Sequence, residues 1–218
     1  MRPTVRSALL WASLSVALAW SGAATRAADG ERVLTYTAEH ARYGQIGTYS
    51  NIISTIGDIT KVHTKVNLRV RVLGITAHRE EADRTEQWKN GRLIAFNGVT
   101  VSNGDRTEVK GEAKGDQFVV FGPAGLVDAP ANVRVSNPWS NNFIGATSML
   151  FTDNGTTEPV SVSKGEKTTV TIGGAPVEAT RYDIHSKPAY QVWLDADNVP
   201  VMFNVAHESG LVTFTLVK

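Results

Sequence analysis

Four residues of one charged stretch, Ile75 to Lys89, have the types and spacing that could handle a ligand: His78, Arg84, Glu86 and Trp88. They share one parity, and side chains two apart on an extended strand project the same way. One face would therefore carry an imidazole, a guanidinium, a carboxylate and an indole. Such a set orients a polar head through the charged groups and stacks a flat or apolar body on the ring. Neither face of the stretch is apolar enough for an ordinary core, and two readings follow. The strand projects beyond the core or lies on a charged edge, where charge blocks further pairing, or this face lines a polar, solvated cavity. Trp139, Tyr182 and Trp193 are the further candidates for ligand contact, and their competing role is core packing.

Other chemistries find less support. Ser161-Val-Ser-Lys164 has the S-x-x-K spacing of serine acyl-enzymes, and Lys167-Thr-Thr169 faintly resembles their K-T-G. That mechanism needs its Ser at a helix start and the second motif far along the chain, whereas here both fall on one hairpin around Lys164-Gly165. No G-x-S-x-G elbow, H-E-x-x-H helix or phosphate-binding glycine loop occurs, so no catalytic residue is assigned. Asp183 and His185 share a strand face, with His207 and Glu208 near the end of another, a carboxylate–imidazole grouping for which a metal is geometrically conceivable, although an isolated strand histidine is more often a surface or hydrogen-bonded residue. Asp195-Ala-Asp197-Asn198 has a calcium-like composition but lacks the remaining loop ligands, and a β-turn between two apolar strands accounts for it. Neither a metal nor a cofactor is expected.

The elements that must position these residues are short strands between turn dipeptides: Asn90-Gly91, Asn97-Gly98, Asn103-Gly104, Lys114-Gly115, Asn154-Gly155, Lys164-Gly165, Gly173-Gly174, Asp197-Asn198 and Ser209-Gly210. That punctuation predicts successive antiparallel hairpins. Residues 60–72 give the clearest strand. Thr60, Val62, Thr64, Val66, Leu68, Val70 and Val72 alternate with Lys61, His63, Lys65, Asn67, Arg69 and Arg71, so one face is buried and one wet. Further strands are expected at about 33–39, 47–54, 75–89, 92–101, 107–113, 117–121, 159–163, 168–172, 175–185, 190–195, 199–206 and 211–217. The fold class is all-β, an antiparallel up-and-down barrel or strongly curved sheet. One short helix is expected near residues 138–148, with Asn137 as cap, Pro138 in the first turn and Phe143, Ile144 and Ala146 on its apolar side.

Length and composition set the frame. Of the 218 residues, 1–27 read as a secretory signal peptide: Arg2 and Arg6, an apolar run from Ala8 to Trp20, then small residues up to a cleavage point after Ala27 or Ala28. The apolar run is too short to span a bilayer comfortably, and no Cys is present for lipid attachment. Residues 28–218 make a single domain of about 190 residues. Without Arg2, Arg6 and Arg26 its charge balance turns slightly acidic, which argues against nucleic acid as a partner. With no cysteine the fold relies on its core rather than on disulfides.

Several stretches together resemble one family. They are Tyr43-Gly-Gln-Ile-Gly-Thr-Tyr49, Glu86-Gln-Trp88-Lys-Asn-Gly91-Arg92-Leu93, Asn137-Pro-Trp139, Tyr182-Asp-Ile, Tyr190-Gln-Val-Trp193-Leu-Asp195 and Val199-Pro200-Val201. The pattern resembles DUF6134, a group of exported bacterial proteins, and its closing hairpins are similar to the DUF3108 group. The resemblance implies a bacterial, periplasmic, β-barrel-like protein and supplies no site residues. The expected function is that of a soluble periplasmic, non-enzymatic binding or carrier protein holding a small apolar or amphipathic ligand in a barrel-like cavity. The alternatives are an envelope structural or assembly factor that acts through its surface around a packed interior, and an unrecognised hydrolase.

Overall fold

The computed structural model describes residues 30–207 and 209–217; the leader expected at 1–27 lies outside them. Eight strands come first: β1 (Gly30–His40), β2 (Gly44–Ile56), β3 (Ile59–Val72), β4 (Ile75–Lys89), β5 (Arg92–Ser102), β6 (Asp105–Lys114), β7 (Gln117–Gly122) and β8 (Gly125–Pro130). Four short ones follow, β9 (Arg134–Val135), β10 (Ser148–Leu150), β11 (Thr157–Pro159) and β12 (Ser161–Val162). The chain then runs through β13 (Glu166–Ile172), β14 (Ala175–His185), β15 (Tyr190–Leu194), β16 (Pro200–His207) and β17 (Gly210–Leu216).

Two asparagine–glycine pairs set hairpin turns where the sequence predicts them, whereas Asn97-Gly98 lies inside β5, paired on both sides. Asn90 and Asn103 hold φ of 49° and 51° ahead of Gly91 and Gly104, the left-handed backbone that a two-residue hairpin turn demands. The strands order as β14-β15-β16-β17-β1-β2-β3-β4-β5-β6-β7-β8, with β12 and β13 both pairing with β14. Pairing of β17 with β1, with Tyr36 opposite Leu216, joins the two halves. On β3, Val62, Thr64, Val66 and Val70 are buried while Lys61, Lys65 and Asn67 are exposed, as the alternation predicts. Gly47, on β2, lets β3 approach: a Cβ there would stand 1.9 Å from the Asn67 carbonyl oxygen.

Two expectations are corrected. The sheet is open, since no pairing among the described residues joins β8 to β12 or β13. Instead the chain leaves β8 at Pro130, which has no N–H to offer a further ladder, and residues 131–160 turn inward. There β9, β10 and β11 form a separate three-stranded sheet. Side chains of this insert meet inward groups from far-separated strands: Asn137 meets Tyr49 of β2, Phe143 meets Tyr182 of β14, and Met149 meets Tyr190 of β15. The large sheet thus curves around the insert, and Val135, Phe143, Met149 and Leu150 join one core with Tyr36, Val62, Phe118 and Val192. An aromatic cluster stiffens that core, Phe203 stacking on Phe214 at 4.5 Å with Tyr36 and Tyr49 edge-on to Phe203.

The second correction concerns residues 138–148, which form bends and turns with no helix. Isolated hydrogen bonds from Ile144 N to Asn141 O and from Ala146 N to Phe143 O close single turns, and Gly145 has φ of 75°. Asn137 does not act as a cap because its amide is fully engaged elsewhere, as described below. Among the described residues no helix is long and apolar enough to cross a membrane.

Candidate functional site

β4 is a central strand between β3 and β5, and its two halves differ. Ala82, Arg84, Glu86 and Trp88 are buried, whereas Ile75 to Ala77 are exposed. Period-2 geometry carries the ionisable residues Arg84 and Glu86 into the core because their neighbours in register, Thr64 and Val62 of β3, also point inward.

A buried carboxylate must find partners or take up a proton. Glu86 is 1% exposed, and three N–H groups converge on it. Asn137 Nδ2 donates to Oε1 at 2.6 Å, while Trp88 Nε1 and Trp139 Nε1 donate to Oε2 at 2.8 and 3.0 Å. Asn137 is held in turn by its other contacts. Tyr49 Oη donates to its Oδ1 at 2.6 Å, its Nδ2 also donates to Thr64 Oγ1 at 2.9 Å, and Thr64 donates to Asn51 Oδ1 at 2.7 Å. The amide therefore bonds through both ends of its fork, and its oxygen, the atom a cap would use, is turned to Tyr49.

Burial pushes the Glu86 carboxyl up to about 7, against the pull of its three donors and of Arg84 toward the charged form. The same burial raises the Tyr49 hydroxyl. Arg84 Nη2 donates to Thr100 Oγ1 at 3.0 Å. Trp88 meets Trp139 edge-on at 6.0 Å, and Arg134 lies 5.8 Å over the Trp88 ring while donating to the Gly91 carbonyl at 3.0 Å.

Trp139 also belongs to a second feature. An open cavity of about 310 Å3 lies at this end of the sheet, lined by Glu31 and Arg32 of β1, Ile53 and Thr55 of β2, Thr60 of β3 and Trp139. Arg32 Nη2 donates to the Trp139 carbonyl at 3.3 Å, so one wall is tied to the other. The Trp139 indole is held in turn by its N–H, which donates to Glu86.

Of the sequence-predicted site residues, Arg84, Glu86, Trp88 and Trp139 come together. His78 lies further along β4, partly exposed beside Asn103. Tyr182 packs edge-on against Phe143 at 5.7 Å, and Trp193 sits in a smaller cluster with Ile172, Ala179 and Val201. Asn137, Tyr49, Thr64 and Arg32 were not singled out as site residues. A signal existed for Thr64, a polar residue at an inward position of the alternating strand.

Elsewhere, Asp195 Oδ1 accepts from the backbone N–H groups of Asp197 and Val199 at 3.0 and 2.9 Å, the β-turn that its composition suggests. The Asp183 carboxylate accepts from Gln191, and His207 bonds Ser209. Among the described residues no three His, Asp or Glu side chains are placed to hold a metal ion.

Comparison with known proteins adds the following. No match was found among curated proteins. A solved structure titled as a beta-barrel-like protein of domain of unknown function DUF1849, from Brucella abortus, is similar with a TM-score of 0.62. The likeness covers 86% of this chain and 96% of that one at 11% identity, and it is a likeness of fold. A family model described as a domain of unknown function, DUF6134, matches residues 42–217. Three of the stretches that carried the resemblance, those containing Tyr49, Glu86 with Trp88, and Asn137 with Trp139, are the ones that meet around the buried carboxylate, and the chain belongs to the DUF6134 family.

Proposed function

We propose that this protein is an exported, non-enzymatic binding protein that holds a small amphipathic ligand against Trp139 in the open cavity at the end of the curved sheet. One observation carries the reading: Trp139 lines the cavity, and its indole is held by Glu86, itself fixed by Trp88 and Asn137. A rigid aromatic wall held by a second layer of hydrogen bonds is how binding sites limit the ordering cost of association. Opposite it, Arg32, Thr55 and Thr60 offer a cation and two hydroxyls for a polar head, with Ile53 for an apolar portion. The volume lies at the low end of the range for small-molecule sites, so the ligand is small.

Catalysis by Glu86 is disfavoured by its setting. A general acid must reach the proton it moves within hydrogen-bond distance of substrate, and this carboxyl is buried and is not among the residues that line the cavity. Residues 131–160 fill the middle of the sheet, which favours a rim site over an interior one. The test is native mass spectrometry of the protein purified from cells that make it, followed by extraction of whatever co-purifies. A bound small molecule present on the wild type, lost from Trp139→Ala and Arg32→Ala, and kept by His78→Ala is expected. An adduct that survives both cavity substitutions, or none on the wild type, overturns the reading.

A further inference from the structure

The opposite end of the β3–β4 hairpin carries a separate feature. Register between β2 and β3 stops at Gly47 opposite Leu68, and register between β4 and β5 starts at Glu80 opposite Ser102. Residues 71–77 therefore form the tip of a two-stranded ribbon that outruns its neighbours on both sides, while at its base Val70 remains in the core and His78 and Arg79 are held by Asn103. Tip and base together, residues 69–79, read Arg-Val-Arg-Val-Leu-Gly-Ile-Thr-Ala-His-Arg, with three arginines ahead of Glu80 and Glu81.

The apex is apolar and bare. Leu73 is 97% exposed, Ile75 72% and Val72 42%. Leu73 also has φ of 50°, in the left-handed region that disfavours a bulky residue. The equivalent turn positions of β4–β5 and β5–β6 carry Asn90 and Asn103 at almost the same φ. A residue that is strained by its backbone and unrewarded by burial is explained by what it presents, since such outliers persist where function needs them. Behind the apex, Arg69 stands directly opposite Arg79, an arrangement of like charges that costs stability. Arg79 is paired with Glu81, while Arg69 and Arg71 make no ion pair among the described residues.

We propose that this ribbon docks the protein on an anionic lipid surface, with Leu73 and Ile75 entering the headgroup boundary and Arg69 and Arg71 contacting lipid phosphates. Apolar apex first and cations behind it is the order of a bilayer interface, and each arginine near an anionic surface adds to the attraction. A polypeptide adding a strand to the ribbon would use its backbone edges. It would gain nothing from Leu73, which lies beyond the last pair, Val72 with Ile75. The lipid surface uses every feature of the ribbon, and this reading is independent of the cavity at the other end.

The experiment is co-sedimentation of the purified protein with vesicles of phosphatidylcholine alone or mixed with phosphatidylglycerol, at low and high salt. Binding to the mixed vesicles that fades at high salt is expected. Leu73→Asn should weaken it roughly tenfold or more through lost apolar burial, and Arg69→Gln with Arg71→Gln should remove most of the dependence on phosphatidylglycerol. Leu73→Asn should also melt at the same temperature as the wild type or higher, because asparagine suits the left-handed turn, so lost binding cannot be ascribed to unfolding. Equal vesicle binding by wild type and Leu73→Asn overturns the proposal. So does the absence of binding to mixed vesicles while a crosslinker on Leu73→Cys, the chain having no other cysteine, captures a polypeptide.

Discussion

The β3–β4 hairpin is one continuous pair of strands, yet its two ends obey opposite rules. At one end an ionisable carboxyl and a guanidinium lie in the core, and at the other three aliphatic side chains stand in water. Thr60 and Val72 mark these ends, about 40 Å apart by strand rise. At the inner end both carboxyl oxygens of Glu86 are met by donors from Asn137, Trp88 or Trp139, so much of the cost of burying them is offset locally, although the Arg84 Nε finds no hydrogen-bond partner among the described residues. At the outer end nothing among the described residues offsets the exposure of Leu73 and Ile75. An inverted polarity that the protein itself compensates is structural, whereas one left uncompensated points to something outside the chain.

The largest effect should come from breaking the compensated end. Glu86→Ala removes the acceptor for three buried N–H donors and leaves Arg84, 8% exposed, without its neighbouring carboxylate. Loss of one partner from a buried charged network costs about 3–5 kcal/mol, and urea denaturation should find that loss. Glu86→Gln, which keeps the length and one acceptor oxygen, should cost less. Equal stability of Glu86→Ala and the wild type would show that the cage contributes nothing to the fold.

How much of this was legible depends on the range over which each determinant acts. The parity of β3 and the shared face of Arg84, Glu86 and Trp88 follow from period-2 geometry within one strand, so sequence alone exposes them. The partners of Glu86 do not follow, because Asn137 and Trp139 lie 51 and 53 residues away and reach it only through the inward turn after Pro130. The helix expected at 138–148 failed for the same reason: Asn137 and Pro138 are good local start signals, but the Asn137 amide is committed to Tyr49, Thr64 and Glu86. Strand length implies a sheet that closes or curves strongly; the sheet curves without closing, and the insert occupies its concave side. The Leu73-Gly74 turn escaped notice because leucine is not a turn residue, which is the same fact that makes it informative.

A smaller effect should appear with pH. In the unfolded chain the Glu86 carboxyl takes its ordinary value of 4.5, and in the folded one burial holds it near 7. Between those values the folded state keeps a proton that the unfolded state releases. Stability from this group is therefore full below about pH 4.5, falls as pH rises through the window and levels off above about 7, a change on the order of 3 kcal/mol. Urea midpoints across this range should decline in the wild type relative to Glu86→Gln, which cannot titrate there. The difference between the two proteins isolates Glu86 from the histidines, and parallel profiles would show that its burial does not shift its titration.

The smallest effect applies one chemical change at both ends of the same strand. Valine and threonine have nearly the same shape, so exchanging them tests the polarity of the surroundings with little change in volume. Val62 is fully buried, opposite Glu86 in register, and a hydroxyl placed there must find an acceptor or go unpaired at about 1–3 kcal/mol. Val72 is 42% exposed beside the ribbon apex, where water satisfies the new hydroxyl and the change should stay within about 0.5 kcal/mol. Val62→Thr should thus lower the urea midpoint measurably while Val72→Thr leaves it in place. If vesicle binding is then compared, the order should reverse, with Val72→Thr the weaker binder and Val62→Thr, once folded, unchanged. Equal costs for both substitutions would mean that the ribbon is packed against something the folded chain supplies, and the contrast between the two ends would collapse.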